Sequence, residues 1–210
     1  NKHLGMLDDY VHLCKATLML FETTGKVSYL KKSILFTDCI LSYFSSENGG
    51  FYTNSDDHID VILKNIQYFD NVMPNANAVM ISIFSKINLI TSDDKYIQAQ
   101  KKLINNFLTK VSNQYFGISS FLKNSYLENY NQLIIIAGKN KTQNEVVLDK
   151  VYKNYIDNIM VVMIDEKTQL DKGFKFYANI TINETTSIYV CKNNTCSLPF
   201  TNIDLLKEYL

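Results

Sequence analysis

The 210-residue chain contains 46% hydrophobic residues and has a formal net charge of zero. This length suits one or two domains with a sizeable core, and the neutral charge argues against nucleic acid or an anionic membrane as a partner. Every basic residue is lysine, so no guanidinium group is available for bidentate binding of phosphate or carboxylate. No apolar run approaches the roughly 18 residues of a membrane span and no signal peptide is recognisable, so we expect a cytoplasmic location.

Apolar residues recur at helical spacing through the first two thirds of the chain. The first predicted helix begins at Leu7, carries two adjacent apolar stripes and ends at Thr23-Thr24-Gly25. We therefore expect it to be buried on most of its circumference. The second helix, about 28–44, has one apolar and one polar face. A nearly all-apolar helix over 78–90 and an amphipathic helix after Ser92-Asp93-Asp94 repeat this order.

These two helix pairs are copies of one unit, because similar residues recur at a constant offset. The matched positions are Leu13 and Met80, Leu20 and Ile87, Thr24 and Thr91, Tyr29 and Tyr96, Leu30 and Ile97, Ile40 and Phe107, and Leu41 and Leu108. A buried helix alternating with an amphipathic one is typical of an α/α toroid, and a fifth helix around 118–127 would begin the next unit. An ordinary bundle or a straight solenoid is the alternative. The long loop that follows Gly49-Gly50 argues against a solenoid, whose repeats are joined tightly.

The pattern changes to short apolar runs near residue 129. The expected elements are a strand over 133–138, a helix over 144–155, strands over 159–164 and 188–190, and a helix over 203–210 capped by Asn202. A strand, a helix and a strand in this order predict a right-handed parallel crossover. We therefore predict a mainly α protein, with a partial six-hairpin α/α toroid over 1–128 followed by a small α/β unit with parallel strands over 129–210.

Four cysteines give no metal signature. Cys14 and Cys39 fall inside apolar helical patterns and are expected to be small buried side chains. Cys191 and Cys196 lie close together and can pair or bind a metal, but two thiols without nearby histidines are too few for a structural zinc site. Reduced cysteines are the favoured interpretation for a cytoplasmic domain, and we predict no metal and no cofactor.

Ordered motifs along the chain resemble a known family. They are Leu7-Asp8-Asp9-Tyr10, Thr24-Gly25 followed by Tyr29-Leu30, Gly49-Gly50-Phe51-Tyr52, Asp70 followed by Pro74, Asn75 and Asn77, and an ending with Tyr189-Val190-Cys191, Cys196, Pro199, Asp204 and Leu210. This set resembles the thioredoxin-domain-containing family that includes a spermatogenesis-associated member. The chain departs from the family at Asn75-Ala76-Asn77, where relatives usually have small residues.

The resemblance implies a longer protein with an N-terminal thioredoxin-like domain and a toroid similar to N-acylglucosamine 2-epimerases and six-hairpin glycosidases. A six-hairpin ring needs twelve helices and about five are counted here, so we expect this chain to be the C-terminal part. A ring lacking half its helices leaves apolar surface exposed. We therefore expect the chain to form a homo-oligomer or to dock onto the missing thioredoxin-like and toroid half.

Candidate site residues stand at the starts of the two repeated helices. Equivalent helix ends point to one pocket mouth, where carboxylates can act as general acid and base or bind sugar hydroxyls. The candidate catalytic residues are Asp9 and Asp70. The candidate substrate-binding residues are Asp8, Tyr10, Phe51, Tyr52, Asn75 and Asn77. The alternatives are helix capping for the aspartates and Asn75, and a packed hairpin tip for the two aromatic residues.

Two functions remain open at this stage. The first is a domain that binds or processes a carbohydrate, with isomerase-like or glycoside-hydrolase-like chemistry and a sugar as ligand. The resemblance to epimerases draws attention to His12, one helical turn beyond Asp8, although a structural histidine is the expected role. The second is a non-enzymatic scaffold or interaction domain that supports a thioredoxin-like partner domain.

Overall fold

A computed structural model of the chain describes residues 4–58, 60–111, 115–128, 131–153, 159–166, 180–192 and 195–209. None of the helices in these ranges is both long enough and apolar enough to traverse a bilayer. Five of them form the first part of the molecule, close to the predicted bounds. They are α1 (Leu7–Thr24), α2 (Val27–Tyr43), α3 (Ala76–Thr91), α4 (Asp94–Val111) and α5 (Ser119–Leu127).

The helices lie in two layers, and the repeat is visible in how the first-layer helices end. In the first layer α3 contacts both α1 and α5, while α2 packs on α1 and α4 packs on α3. Gly25 ends α1 in the left-handed conformation, with φ 66°. Ser92, at the equivalent position of the repeat, ends α3 in the same conformation with φ 53°. The two helix pairs are therefore structural copies as well as sequence copies.

The prediction that α1 is buried on most of its circumference is wrong. Leu13 and Leu20 are 49% and 43% exposed, whereas their repeat equivalents Met80 and Ile87 are 0% exposed. The reason is the number of neighbours in the first layer. Helix α3 lies between two helices of its own kind, whereas the main neighbour of this kind for α1 is α3.

A four-stranded sheet with the order β2-β1-β3-β4 forms the second part of the molecule. Its strands are β1 (Gln132–Ala137), β2 (Ile159–Ile164), β3 (Ser187–Lys192) and β4 (Thr195–Cys196). Helix α6 (Lys141–Lys153) follows β1, and a 3₁₀ helix over Ile203–Glu208 follows β4. Asn202 caps this last helix, as predicted, by accepting the Asp204 backbone N–H at 2.9 Å.

The prediction of parallel strands is correct for one pair only. β1 and β2 are parallel, joined through α6 as the crossover rule requires. β3 is antiparallel to β1, and β4 is antiparallel to β3, so the sheet is mixed. The β3–β4 connection is too short for a crossover helix, which leaves only antiparallel pairing for that pair.

One hydrophobic core crosses the predicted boundary at residue 128. Leu133, Ile135 and Ala137 on one face of β1 join the cluster built by the helices. Ile134 and Ile136, on the opposite face, pack with Val147 and Val151 of α6 in a second cluster. Because successive strand residues point to opposite faces, this six-residue strand contributes to both clusters.

The expectation of four reduced cysteines is wrong for one pair. Cys191 and Cys196, which face each other across β3 and β4, form a disulfide. Their spacing left this pairing open, and the antiparallel register brings the two side chains together. Cys14 and Cys39 carry free thiols, and burial raises the pKa of Cys14 to about 12 despite its hydrogen bond with Thr37. The cytoplasmic location remains a prediction.

Candidate functional site

The N-terminal ends of α1 and α3 border one cavity of about 200 Å³, which we call the N-terminal cavity. Three of the predicted site residues line it, namely Asp8 at the start of α1 and Asn75 and Asn77 at the start of α3. Thr53 and Asn71 add polar groups to its wall. Asp9, Tyr10, Phe51, Tyr52 and Asp70 are not part of this lining.

Asn75 and Asn77 are held by backbone groups. Asn75 caps α3 by accepting the Ala78 N–H at 3.1 Å, and its amide donates to the Gln67 carbonyl at 3.0 Å. The Asn77 side chain accepts the Phe51 N–H at 2.7 Å and donates to the Phe51 carbonyl at 3.0 Å. Both side chains thus satisfy backbone groups of the long loop that joins α2 to α3.

Asp70 joins the starts of two helices. One carboxylate oxygen accepts the Asn75 N–H at 2.8 Å, and the other accepts the Ser120 N–H at 2.9 Å and the Ser119 hydroxyl at 3.0 Å. Burial by itself would raise the pKa of Asp70, but these hydrogen bonds outweigh it and hold the pKa below its usual value. A carboxylate in this state is a poor general acid at neutral pH.

Asp9 and Tyr10 have local structural roles. The Asp9 carboxylate accepts the Met6 N–H at 2.9 Å, which satisfies one of the unpaired donors at the start of α1. The Tyr10 ring packs against Phe36 and Phe44 of the second layer, with ring centroids 6.3 and 5.4 Å away. The capping alternative therefore describes Asp9, and Tyr10 belongs to the contact between α1 and α2.

Phe51 and Tyr52 have different environments. Phe51 is 3% exposed, and its ring centroid lies 5.9 Å from that of Phe84 on α3, so it has no face available to a ligand. Tyr52 is half-buried, and the Lys64 ammonium lies 5.6 Å from its ring centroid. The packed-tip alternative describes Phe51, and Tyr52 retains a partly accessible ring.

Asp8 and His12 are the polar side chains of α1 that the local structure leaves least engaged. Asp8 is exposed at the wall of the N-terminal cavity. His12 follows four residues later, on the same side of the helix, and its buried Nε2 atom has no hydrogen-bond partner among the described residues. No group of three or more His, Cys, Asp or Glu residues in the described ranges is arranged to hold a metal ion.

A larger groove of about 400 Å³ was not predicted from the sequence. Residues of α1, α3, α5, α6 and β2 line it, and we call it the central groove. The Glu22 carboxylate and the Lys86 ammonium lie 2.6 Å apart in this groove, and both side chains are largely buried. Burial and the Glu22 charge raise the pKa of Tyr152 to about 12. Lys86, the only charged residue of α3, is the feature of the sequence that could have drawn attention to this region.

The relatives found by comparison with known proteins are distant ones. No family model matches it. It is 21% identical to spermatogenesis-associated protein 20 of Rattus norvegicus and 20% identical to that of Homo sapiens, over 98% of the chain in each case. An uncharacterized protein of Caenorhabditis elegans is 21% identical over 96% of the chain. The chain is thus a distant relative of spermatogenesis-associated protein 20, and it spans about a quarter (27%) of that protein's length.

The Asp70 contacts predict a pH-dependent contribution to stability. Replacing Asp70 with asparagine should lower the free energy of unfolding at pH 7 by about 2 kcal/mol, because charge-assisted hydrogen bonds at two helix starts are weakened. The folded pKa lies below the unfolded one, so this contribution is present above about pH 4 and is lost as pH falls through the folded pKa.

Urea titrations of both proteins between pH 7 and pH 3 measure this effect, and their stabilities should converge toward the acid end. Asp57→Asn, on an exposed part of the same loop, is the matched control and should change little at any pH. A wild-type to Asp70→Asn difference that is the same at every pH would contradict the assigned role.

Proposed function

We propose that this chain is the C-terminal portion of a protein like spermatogenesis-associated protein 20, and that its helices are a segment of an α/α toroid acting as an interaction domain. The relatives extend well beyond the matched region, since the chain spans 27% of their length. The repeated helix pairs, with α5 starting a third, supply the unit from which such a ring is built.

The single observation that carries the proposal is the difference between equivalent edges of α1 and α3. On α3, Met80 and Ile87 lie on an edge of the helix that is fully buried. On α1 the same edge contains Leu13, Ala16 and Leu20, all exposed, and we call it the outer edge of α1. A repeat that buries this edge in one copy and exposes it in the other is missing a neighbour at the exposed copy.

The chemistry of the outer edge indicates what covers it. Two leucines one helical turn on either side of Ala16 form a short apolar stripe with a small residue at its centre, which suits the close approach of another helix. Covering the remaining exposed area of each leucine contributes about 1 kcal/mol. The occupant we propose is the first-layer helix of another hairpin of the same type, supplied by a second copy when this chain is studied alone.

The predicted acid and base residues support an interaction role more than a catalytic one. Asp9 is engaged at the start of α1, and Asp70 joins the starts of α3 and α5 through three hydrogen bonds. Both carboxylates accept hydrogen bonds at helix starts, whereas hydrolysis of a glycosidic bond requires two carboxyl groups that face the substrate.

Self-association of the purified chain tests the proposal. The wild-type chain should exceed its monomer mass of 24.2 kDa in light scattering as concentration rises, because the outer edge finds an edge on a second copy. Replacing Leu13 and Leu20 together with lysine should return the mass to that of a monomer, since both positions are solvent-exposed and the fold tolerates the change.

Leu35→Lys on α2 is the matched control, because Leu35 is 60% exposed but lies on a different helix. This variant should associate like the wild type, and circular dichroism should show equal helix content in all three proteins. A wild-type chain that stays monomeric at every concentration would contradict the proposal, as would association that survives the double substitution.

A second candidate function rests on Asp8 and His12. The exposed Asp8 carboxylate at the cavity wall can bind sugar hydroxyls, and the His12 imidazole, whose buried Nε2 lies one helical turn away and outside the cavity lining, would have to turn toward the cavity to transfer a proton. Saturation-transfer NMR with glucose and N-acetylglucosamine tests this candidate. Asp8→Asn and His12→Gln should each weaken binding about tenfold, while Asp57→Asn leaves it unchanged. Absence of any sugar signal with the wild-type chain would remove the candidate.

A further inference from the structure

The disulfide at the edge of the sheet holds a very short strand in place. Cys191 ends the region of β3 that pairs with β1, and Cys196 belongs to β4, which has only two residues. Beyond β4, the Ser197 N–H donates to the Val190 carbonyl at 2.8 Å, and Ile188 and Phe200 form an isolated bridge. The covalent link therefore supplements backbone hydrogen bonds that already hold β4 and the segment after it to β3.

The two sulfur-bearing residues lie in different environments. Cys191 is 5% exposed and belongs to the core cluster shared with the helices. Cys196 is exposed. A thiolate attacks one sulfur of a disulfide along the axis of the S–S bond, and it attacks the sulfur that it can reach. An incoming reagent therefore meets Cys196 first. Cys191 is then the leaving thiol, and it stays next to the attacked position.

A groove adjoins the accessible residue, and its lining combines apolar side chains with polar ones that include Lys192 and Glu208. Cys196, Leu198, Pro199 and Phe200 line a shallow depression of about 580 Å³ together with Tyr209 of the chain end, and we call it the edge groove. The Phe200 and Tyr209 rings stack with centroids 5.5 Å apart, which gives one wall a flat aromatic surface. Leu198 is 87% exposed at its rim. A protein that reduces this disulfide would contact apolar surface next to the sulfur that it attacks.

We propose that the Cys191–Cys196 disulfide is a thiol–disulfide exchange site for a protein dithiol that seats on the edge groove. The partner's first thiolate attacks Sγ of Cys196, forming an intermolecular S–S bond and breaking the Cys191–Cys196 bond. Cys191 leaves as a thiolate and takes up a proton. The partner's second thiolate then attacks its own bridged sulfur, which releases Cys196 as a thiol. The chain gains two electrons and two protons, and the partner dithiol becomes a disulfide.

Reduction has a local structural consequence. β3 keeps its pairing with β1 from Leu133 to Ala137, so the sheet does not depend on the disulfide. β4 loses its covalent attachment but keeps its two residue pairs with β3, and the segment after it stays joined to β3 through the Ser197–Val190 hydrogen bond and the Ile188–Phe200 bridge. Reduction is therefore expected to loosen β4 beside the edge groove, while the segment after β4 stays paired with β3. This site lies in the α/β unit and is independent of the outer edge of α1.

The experiment compares a protein dithiol with a small one. The oxidised chain is treated with reduced thioredoxin or with dithiothreitol at equal dithiol concentration, and the thiols of Cys191 and Cys196 are alkylated and quantified by mass spectrometry over time. We expect thioredoxin to reduce the pair about tenfold faster, because the groove holds a protein reagent. Leu198→Glu should remove about that tenfold advantage and leave the dithiothreitol rate unchanged. Leu35→Glu is the control and should alter neither rate.

A trapping experiment identifies the attacked sulfur. Thioredoxin whose second active-site cysteine is replaced by serine should accumulate as a mixed disulfide with Cys196, located by peptide mapping. The proposal is overturned if the mixed disulfide forms on Cys191, if both reagents reduce the pair at the same rate, or if neither reduces it without denaturant. It is equally overturned if Leu198→Glu leaves the thioredoxin rate unchanged or slows both reagents alike.

Discussion

Enclosure of helix α3 is the constraint on which the described structure depends. Twelve of its 16 residues are buried, and it is the helix that contacts both other members of the first layer. Two of its carbonyl groups are also tied to neighbouring helices by side-chain amides. Gln100 of α4 donates to the Ile81 carbonyl at 2.8 Å, and Asn124 of α5 donates to the Ala78 carbonyl at 2.9 Å. These hydrogen bonds fix how α4 and α5 are rotated about their own axes. Apolar packing alone fixes that rotation less strictly.

The start of α3 extends this constraint to the long loop before it. A loop with little regular structure must satisfy its backbone groups by other means, and here polar side chains do so. Asn77 pairs with both backbone groups of Phe51, Asn75 binds the carbonyl of Gln67, and Asp70 reaches across to α5. The residues that most resemble a catalytic set are thus the ones that hold the loop, which is why residue type alone did not separate the two roles.

Much of the fold was predictable because it follows from local patterns. Helical spacing located α1 to α5, Gly25 marked the end of α1, and the apolar runs located β1 and β2. The local patterns do not show which element packs against which other element. The two stripes of α1 suggested enclosure, yet nothing in them shows whether a helix lies against Leu13 and Leu20. The side of β1 on which β3 pairs, the disulfide and the ion pair of the central groove are also long-range outcomes that periodicity does not encode.

Whether the outer edge of α1 is a docking surface can be measured through the accessibility of Leu13. Replacing Leu13 with cysteine and following its reaction with a maleimide, resolved by peptide mass from the native thiols, reports the exposure of that edge. Labelling of Leu13→Cys should slow as the chain concentration rises, while labelling of Leu35→Cys on α2 should not. Equal labelling of both positions at every concentration would contradict the claim that this edge is a docking surface.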